Sequence, residues 1–407
     1  MINRNIFLLL GGNKLNYGIY QKFKNKNMLV YVVDWNEKPD IVGDKHYRLD
    51  VKDGKSIARA LEKDGVINDV IFAYSSIDLA VEAVAYLNKL FGYKTLNDHG
   101  VANASSKSMM TKKWNEAGLL NRFSRAYSSY DSSILEQNKH VSLIFKPDNS
   151  SSSRGITICP KADDEANLYN AFIKASTESS NGLVIVEEFV IGTEFTVEML
   201  GDSNSNVSVY GISKKSHTPY NKNNKIAVKL HYNSISDSLQ NKIANYAIQC
   251  YQALNFSSSL GHLEILLKED GTLSPIEIGA RSSGFIASDL VDIVSGRDYL
   301  MDLLDVYKGG IVFHGLLPQT NFSSMYYFYD FPNNFTIKKQ CSLLDFCDKN
   351  IVSLYSDHSS LKSGVCFNII DNDNARVGFE ILKGDKSILT KDYIDLLEKK
   401  MLMEMGG

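Results

Sequence analysis

No stretch of this 407-residue chain approaches the roughly 20 consecutive apolar residues that a bilayer-crossing helix needs, so no membrane span is expected. Cysteine is scarce and scattered: the five, at positions 159, 250, 341, 347 and 366, are odd in number and lack paired metal-ligand spacing. Only Cys341 and Cys347 are neighbours, and a separation of six is no recognised zinc spacing. Buried thiols in a reducing compartment are the expectation. An excess of one charge is also missing. Lys and Arg number 44 against 47 Asp and Glu, and the net −3 gives no general electrostatic reason to expect a nucleic-acid partner. The apolar run Ile6–Leu10 is too short for a signal-peptide core and has no small-residue cleavage site after it. The chain therefore reads as cytoplasmic. It has no internal repeat, and no Ser–His–Asp or Cys–His arrangement that would serve as a nucleophile.

What is present is ordinary globular material, 44% hydrophobic and 22% charged, at a length that predicts two or three domains. The first hundred residues alternate strand and helix. The run Ile6–Leu10 ends at Gly11-Gly12, Leu29 to Val33 closes on Asp34, and Asp69 to Ala73 forms a third run. After it, Leu79, Ala83, Tyr86, Leu87 and Leu90 return at helical spacing. This βαβ pattern predicts an open parallel sheet covered by helices. Gly11-Gly12 with Asp34 resembles half of a dinucleotide fingerprint, but the third glycine is missing, and a tight strand-to-helix turn is the better reading.

From Ser105 the texture changes. A helix over 106–120 precedes short strands at 141–146, 155–159 and 183–189, and the serine run 150–153 lies between two of them as a loop rather than a linker. Further strands are predicted at 195–200 and 207–212, a polar turn-rich loop at 217–225 and a helix at 243–254. A hairpin joins 260–267 to 273–278 across Glu269-Asp270-Gly271. Beyond residue 311 the chain is strand-rich and irregular, ending in a helix over 391–403.

That hairpin carries the clearest chemistry. Glu264 and Glu277 lie 13 residues apart on its two strands, which can bring both carboxylates to one side. Mg²⁺ takes oxygen ligands, often one or two carboxylates plus substrate phosphates. Arg281 follows where the strand leaves the sheet, and a guanidinium there can grip a carboxylate or phosphate in two-pronged fashion. The plainer alternative is a surface ion pair among these three residues.

Over roughly residues 5–310 the chain resembles the ATP-grasp superfamily, within it the carboxylate–amine (amino-acid) ligase branch, and the motifs arrive in the family's order. Glu264 and Glu277 match the two metal-binding acids, and Arg281 matches the arginine that orients the carboxylate or acyl phosphate. Many members carry an Asn two residues after the second acid as a third ligand; here that position is Gly279. Lys107, in Ser105-Ser-Lys-Ser-Met, matches the lysine at the head of the entering helix, although the usual preceding Asp is Ser106. Lys146, in Ile144-Phe-Lys-Pro, matches the lysine that ends the strand before the phosphate loop. Asn149-Ser-Ser-Ser-Ser-Arg-Gly155 stands in the place of that loop, where the resemblance implies phosphate contacts from Ser152, Ser153 and Gly155 and a third cation from Arg154. Val184 to Glu198 is similar to the hinge beneath the adenine: Glu187 or Glu188 toward the base, Val190 supplying backbone atoms, Glu194 toward the ribose.

The resemblance implies an N-terminal Rossmann-like α/β domain (1–105), an ATP-grasp fold of two parts (106–188 and 189–310) and a strand-rich C-terminal portion (311–407). It implies ATP and Mg²⁺, with Mn²⁺ as a substitute, and small-molecule carboxylate and amine substrates, one an amino acid. No nucleic-acid or membrane partner is expected, and a homodimer is the common habit of relatives. The implied reaction couples an acid, through its acyl phosphate, to an amine. Two other readings stay open: an ATP-dependent carboxylase or carbamoyl-forming enzyme, and a non-catalytic ATP-binding regulatory protein. Lys214, Lys215, Tyr220, His231 and His262 lie where members shape their substrate pockets. The aromatic stretch 322–331, with Tyr326, Tyr327 and Tyr329, is expected to pack against the grasp domain.

Overall fold

A strand apolar at every position must be covered on both faces, and β1, Ile6–Leu10, is buried at all five residues. In the computed structural model, which describes residues 5–150, 154–162, 164–221, 225–284, 287–372 and 375–406, β1 lies inside a four-stranded parallel sheet. Its companions follow in chain order: α1 (Tyr17–Asn25), β2 (Leu29–Asp34), β3 (Lys45–Arg48), α2 (Gly54–Lys63), β4 (Val70–Tyr74) and α3 (Val81–Leu90). The strand order is β3-β2-β1-β4, with parallel pairing throughout. Ile6, Leu8 and Leu10 face α2 and α3, whereas Phe7 and Leu9 face α1 and the rest of the molecule. The turn after β1 is closed by Asp34, whose carboxylate accepts from the Gly12 N–H at 2.8 Å. Gly11 has φ +101°, a conformation side chains disfavour.

The helix read from the periodicity of 77–91 is present, but of the five residues that carry it only Ala83 and Leu87 are buried. Leu79, Tyr86 and Leu90 are exposed, and the buried positions are Ala80, Val81, Ala83, Ala85, Leu87 and Asn88. Alanines let α3 approach the sheet closely, and Asn88 completes the contact by bonding both the N–H and the carbonyl of Ala73, at 2.8 and 2.9 Å. The larger apolar side chains are thereby left outward.

Next come α4 (Asp98–Ala104), α5 (Lys107–Glu116), β5 (Ser124–Tyr127), α6 (Ser133–Gln137), β6 (Leu143–Pro147), β7 (Thr157–Cys159), α7 (Glu165–Thr177) and β8 (Val184–Glu188). Their strands form an antiparallel sheet in the order β5-β8-β6-β7, with α7 packed on one face. The chain then gives β9 (Gly192–Gly201), β10 (Val207–His217), β11 (Ala227–Tyr232), α8 (Asp237–Ala253), β12 (Ser259–Lys268), β13 (Leu273–Gly279), α9 (Ala287–Ser295) and α10 (Tyr299–Tyr307). It ends with β14 (Gly315–Leu316), β15 (Phe322–Tyr329), β16 (Phe335–Thr336), β17 (Val352–Asp357), β18 (Cys366–Phe367), β19 (Val377–Asp385) and α11 (Lys391–Gly406).

The large sheet runs β13-β12-β9-β10-β11-β15-β19-β17. Strands from beyond residue 311 therefore continue the ladder of the predicted hairpin, with β15 paired antiparallel to β11. The aromatic stretch lies within this ladder. Tyr326 stands opposite Leu230 and joins the core shared with the N-terminal sheet, while Tyr327 turns to the other face. No helix among the described residues is long and apolar enough to cross a membrane.

One core thus joins Phe7, Phe23 and Tyr74 of the first sheet and its helix to Leu230, Tyr326 and Ile381 of the large one. Phe7 stacks on Phe23 with ring centroids 3.7 Å apart, and both are fully buried. Phe7→Ala is expected to cost about 3–5 kcal/mol. Urea unfolding followed by circular dichroism checks this, and a loss below about 1 kcal/mol would show that the ring is not a keystone of that core.

Candidate active site

The turn at Asp270-Gly271 sets the register of the β12–β13 hairpin: Asp270 accepts from the Thr272 N–H at 2.8 Å and Gly271 takes φ +81°. That register puts Glu264 directly opposite Glu277. Two like charges facing each other across a ladder repel, so cations must be supplied from elsewhere. Lys107 provides one, its Nζ 3.0 Å from Glu277. Lys215, on β10, provides another at 2.9 Å from Glu264, and lies 3.6 Å from Glu194 on β9. His217 contacts Glu194 at 3.1 Å. Burial alone would raise the pKa of Glu277, but Lys107, Lys146 and Lys215 outweigh it and hold the carboxylate below its ordinary range. Glu194 is held well below its range in the same way, by His217 and Lys215. Burial would lower the pKa of Lys215, yet Glu264 and Glu194 push it upward, and it stays charged.

Lys107 opens α5, and its placement depends on Asp148, a buried carboxylate with several partners. Asp148 accepts from the Ser108 N–H at 2.7 Å, from the Ser106 hydroxyl at 3.0 Å and from the Asn181 amide at 2.7 Å. The negative charge before the helix, absent at Ser106, is thus delivered from another strand. Lys107 Nζ also donates to the Ser150 carbonyl at 3.0 Å, tying the helix to the start of the serine segment.

Lys146, at the end of β6, meets Glu187 of β8 at 2.5 Å. Glu187 is buried and also accepts from Ser124 at 2.9 Å and from Arg122 at 3.3 Å. Burial would raise its pKa, but the Lys146 and Arg122 charges bring it down to about 2. Arg122 is anchored in turn to the Pro275 carbonyl at 2.7 Å, so the small antiparallel sheet is tied to the hairpin.

Residues 139–289 match the family model described as the ATP-grasp domain. That segment is similar to an ATP-grasp domain. Over 179 residues the chain is 27% identical to a D-alanine–D-alanine ligase of Geobacillus thermodenitrificans (strain NG80-2), a match covering 43% of this chain and 44% of that protein, so the aligned stretch is less than half of the relative. Solved structures match over nearly the whole chain. An L-amino acid ligase from Bacillus licheniformis superposes with a TM-score of 0.71 at 16% identity, covering 100% of this chain and 98% of that one. Phosphoribosylglycinamide synthetase from Anaerococcus prevotii gives 0.67 at 15% identity, covering 98% of each chain. The biotin carboxylase domain of the Hydrogenobacter thermophilus 2-oxoglutarate carboxylase gives 0.70 at 14% identity, covering 93% of this chain and 86% of that one. At these identities the likeness is one of fold.

Within the matched segment, Glu264 and Glu277 present only oxygen donors on one sheet face. Among the described residues no three His, Cys, Asp or Glu side chains form a ready-made metal cage. Two opposed carboxylates suit Mg²⁺ nonetheless, because it draws its remaining ligands from phosphates and water. Of the two acids expected near a base, Glu187 is fully engaged by Lys146, Arg122 and Ser124, whereas Glu188 is half-buried. Val190 lies between β8 and β9, outside both ladders, and its backbone makes no hydrogen bond among the described residues. Ser152 and Ser153 lie outside the described residues. Arg154 is exposed at the end of that segment. Gly155 has φ +72°, and an added Cβ would come within 2.7 Å of Pro147 and 2.8 Å of Glu178.

Arg281 reaches the N-terminal domain, where its guanidinium pairs with Asp78. His262 bonds the fully buried Glu198 at 2.6 Å, and its other nitrogen lies 4.0 Å from Glu264. Lys214 and His231 occupy the opposite face of the sheet from Lys215, lining a small cavity with Lys229, Lys391 and Asp395. Tyr220 lies in the turn after β10, half-buried. Glu198 was within reach of sequence reasoning, since it shares a strand face with Glu194 at a spacing of two plus two. Asp148 stands two residues from Lys146. Nothing in the sequence marked Arg122 or Asp78.

For Glu187 the folded pKa of about 2 lies below the ordinary 4.5. Its stabilisation is therefore complete above about pH 4.5 and is lost as pH falls toward about 2. Glu187→Gln should cost about 3–5 kcal/mol at neutral pH, by leaving Lys146 and Arg122 buried without their anion. The gap between the variant and the parent protein should narrow on acidification. Denaturant midpoints from pH 7 to pH 3 check this, and a gap independent of pH would show that the carboxylate is not charged in the fold.

Proposed function

We propose that this chain is an ATP-dependent ligase that activates a carboxylate as an acyl phosphate and joins it to an amine, with ADP and phosphate as the other products. The observation that carries the reading is the set of three lysines, Lys107, Lys146 and Lys215, each held against a carboxylate in one cleft of an ATP-grasp domain. Such a cleft suits a polyphosphate, which offers the lysines replacement anions.

In this reading Lys107 and Lys146 meet phosphate oxygens as point charges, and Glu188, Val190 and Glu194 face the nucleoside. Glu264 and Glu277 would hold Mg²⁺. That cation, when bound, supplies charge neutralisation at the phosphates. Arg281 holds the acid so that a carboxylate oxygen bonds to the γ-phosphorus while the bond from phosphorus to the β–γ bridging oxygen breaks and ADP leaves. The amine nitrogen then bonds to the acyl carbon, the carbon–oxygen bond to phosphate breaks, and the amine gives up a proton. The protein forms no covalent bond in either step; positioning and electrostatics supply the acceleration. One amino acid substrate is the expectation, in keeping with the ligases among the similar proteins. Bicarbonate as the activated acid is the second reading, favoured by the likeness to a biotin carboxylase domain.

Phosphate release from Mg·ATP, measured against single and paired amino acids, sugar acids and bicarbonate, tests the proposal. Release that requires both an acid and an amine supports the ligase. Release with bicarbonate alone favours carboxylation, and ATP binding without release under any pairing would mean a non-catalytic protein. Glu277→Gln is expected to lower turnover by at least about 100-fold with an unchanged circular dichroism spectrum. Lys146→Ala should weaken ATP binding by about 10- to 100-fold. Parent-like magnesium-dependent turnover in the first variant, or parent-like nucleotide affinity in the second, would remove that residue's role.

A further inference from the structure

The N-terminal domain reaches the candidate acid site through one side chain. Asp78 opens the short turn Asp78–Ala80 ahead of α3, and its Oδ2 pairs with an Nη of Arg281 across the cleft. Arg281 is mostly buried, at 13% side-chain exposure, whereas Asp78 is 37% exposed. The other Asp78 oxygen, Oδ1, has no hydrogen-bond partner among the described residues. It points toward Gly279: a Cβ built on that glycine would lie 2.9 Å from Oδ1. Any side chain at 279, including the Asn many ATP-grasp proteins carry there, would push Asp78 away. The glycine and the aspartate are therefore one feature: removing the side chain from β13 makes room for a carboxylate from the other domain.

Three acids surround Arg281: Asp78, Glu277 and Glu198. Glu277 faces Glu264 and Lys107. Glu198 is fully buried and engaged by His262 at 2.6 Å and Tyr232 at 3.2 Å. Glu277 is as exposed as Asp78, at 39% against 37%, but faces Glu264 as the second acid of the proposed cation site, which leaves Asp78 as the exposed acid beside Arg281 with no other task. A cation and an anion held side by side on a cleft wall match a ligand with the complementary pair on adjacent atoms, and an α-amino acid is such a ligand.

Resting on the ligase reading above, we infer that Asp78 is a specificity-determining residue: Arg281 takes the carboxylate of the acid substrate, and Asp78 Oδ1 takes an ammonium on the neighbouring carbon. The acid that this site activates is then an α-amino acid rather than a simple carboxylic acid or bicarbonate. Asp78 also sets the guanidinium, so the two roles must be told apart by substrate.

Hydroxylamine can replace the amine: its nitrogen bonds to the acyl carbon, phosphate leaves, a proton is lost, and the hydroxamate is read by its ferric colour. The assay uses the full chain with Mg·ATP and each protein amino acid beside the carboxylic acid that lacks its α-amino group. The parent protein should favour its amino acid by about 10- to 100-fold in kcat/KM, the worth of one charge-assisted hydrogen bond. Asp78→Asn should raise KM for the amino acid by that factor beyond any loss it causes with the des-amino acid, which reports the share owed to the guanidinium. Asp78→Glu, which keeps the charge, should retain the preference. Equal losses for both acids in Asp78→Asn would show that Asp78 serves Arg281 only and would overturn the inference, as would a parent protein without preference. No hydroxamate from any acid, with nucleotide bound, would remove the ligase reading and this inference together.

Discussion

Lysine beside carboxylate is the arrangement on which the cleft depends. Each cation there arrives on a different element (the head of α5, the end of β6, the middle of β10), and each is met by an acid from β13, β8 or β12. Charges this deep are tolerated only in pairs, and stripping one partner from a buried pair typically costs about 3–5 kcal/mol. The cleft is thus held together by ammonium groups set against carboxylates. Supporting contacts follow from this need. Asp148 fixes the start of α5, Arg122 shares Glu187 with Lys146, and His217 and Lys215 divide Glu194 between them.

A second constraint is the face the large sheet presents. Its β9, β10, β12 and β13 end carries the charged side chains, and its β11, β15 and β19 end carries Leu230, Tyr326 and Ile381 on the same side. The N-terminal sheet seats Phe7, Phe72 and Tyr74 against that apolar half. This seating brings the segment after β4 to the edge of the charged half, where Asp78 meets Arg281 and the Tyr74 hydroxyl meets Ser282.

Much of this was legible in the residues. The parallel strands β1, β2 and β4 announced themselves as unbroken apolar runs, though the polar edge strand β3 did not, and the β12–β13 hairpin by two apolar runs around Asp270-Gly271, because strand burial and turn chemistry are local properties. The pairing of Glu264 with Glu277 followed from that turn. For helix α3 the periodicity found Ala83 and Leu87, which are buried, but it also counted Leu79, Tyr86 and Leu90, which are exposed, and missed Ala85, because close helix–sheet packing favours small residues. Lys214 and Lys215 could not be assigned to faces without the β10 register. Arg122 and Asp78 were invisible for a deeper reason: each acts across a contact between segments more than a hundred residues apart, and no local pattern encodes such a meeting.

The continuous ladder has a consequence for how the chain is made. β11 ends at Tyr232, and its neighbour β15 begins only at Phe322, with β19 and β17 lying outside that. On a ribosome the N-terminal parallel sheet can close as soon as β4 has emerged, since all its pairings are complete by then. The sheet that carries Glu264 and Glu277 cannot: β11 keeps a bare edge until β15 has been made. Unpaired edges of this kind are sites of mispairing during synthesis. The charged strands β9, β10, β12 and β13 can therefore pair once Gly279 has emerged, while the apolar half of the same sheet waits for β15 and β19.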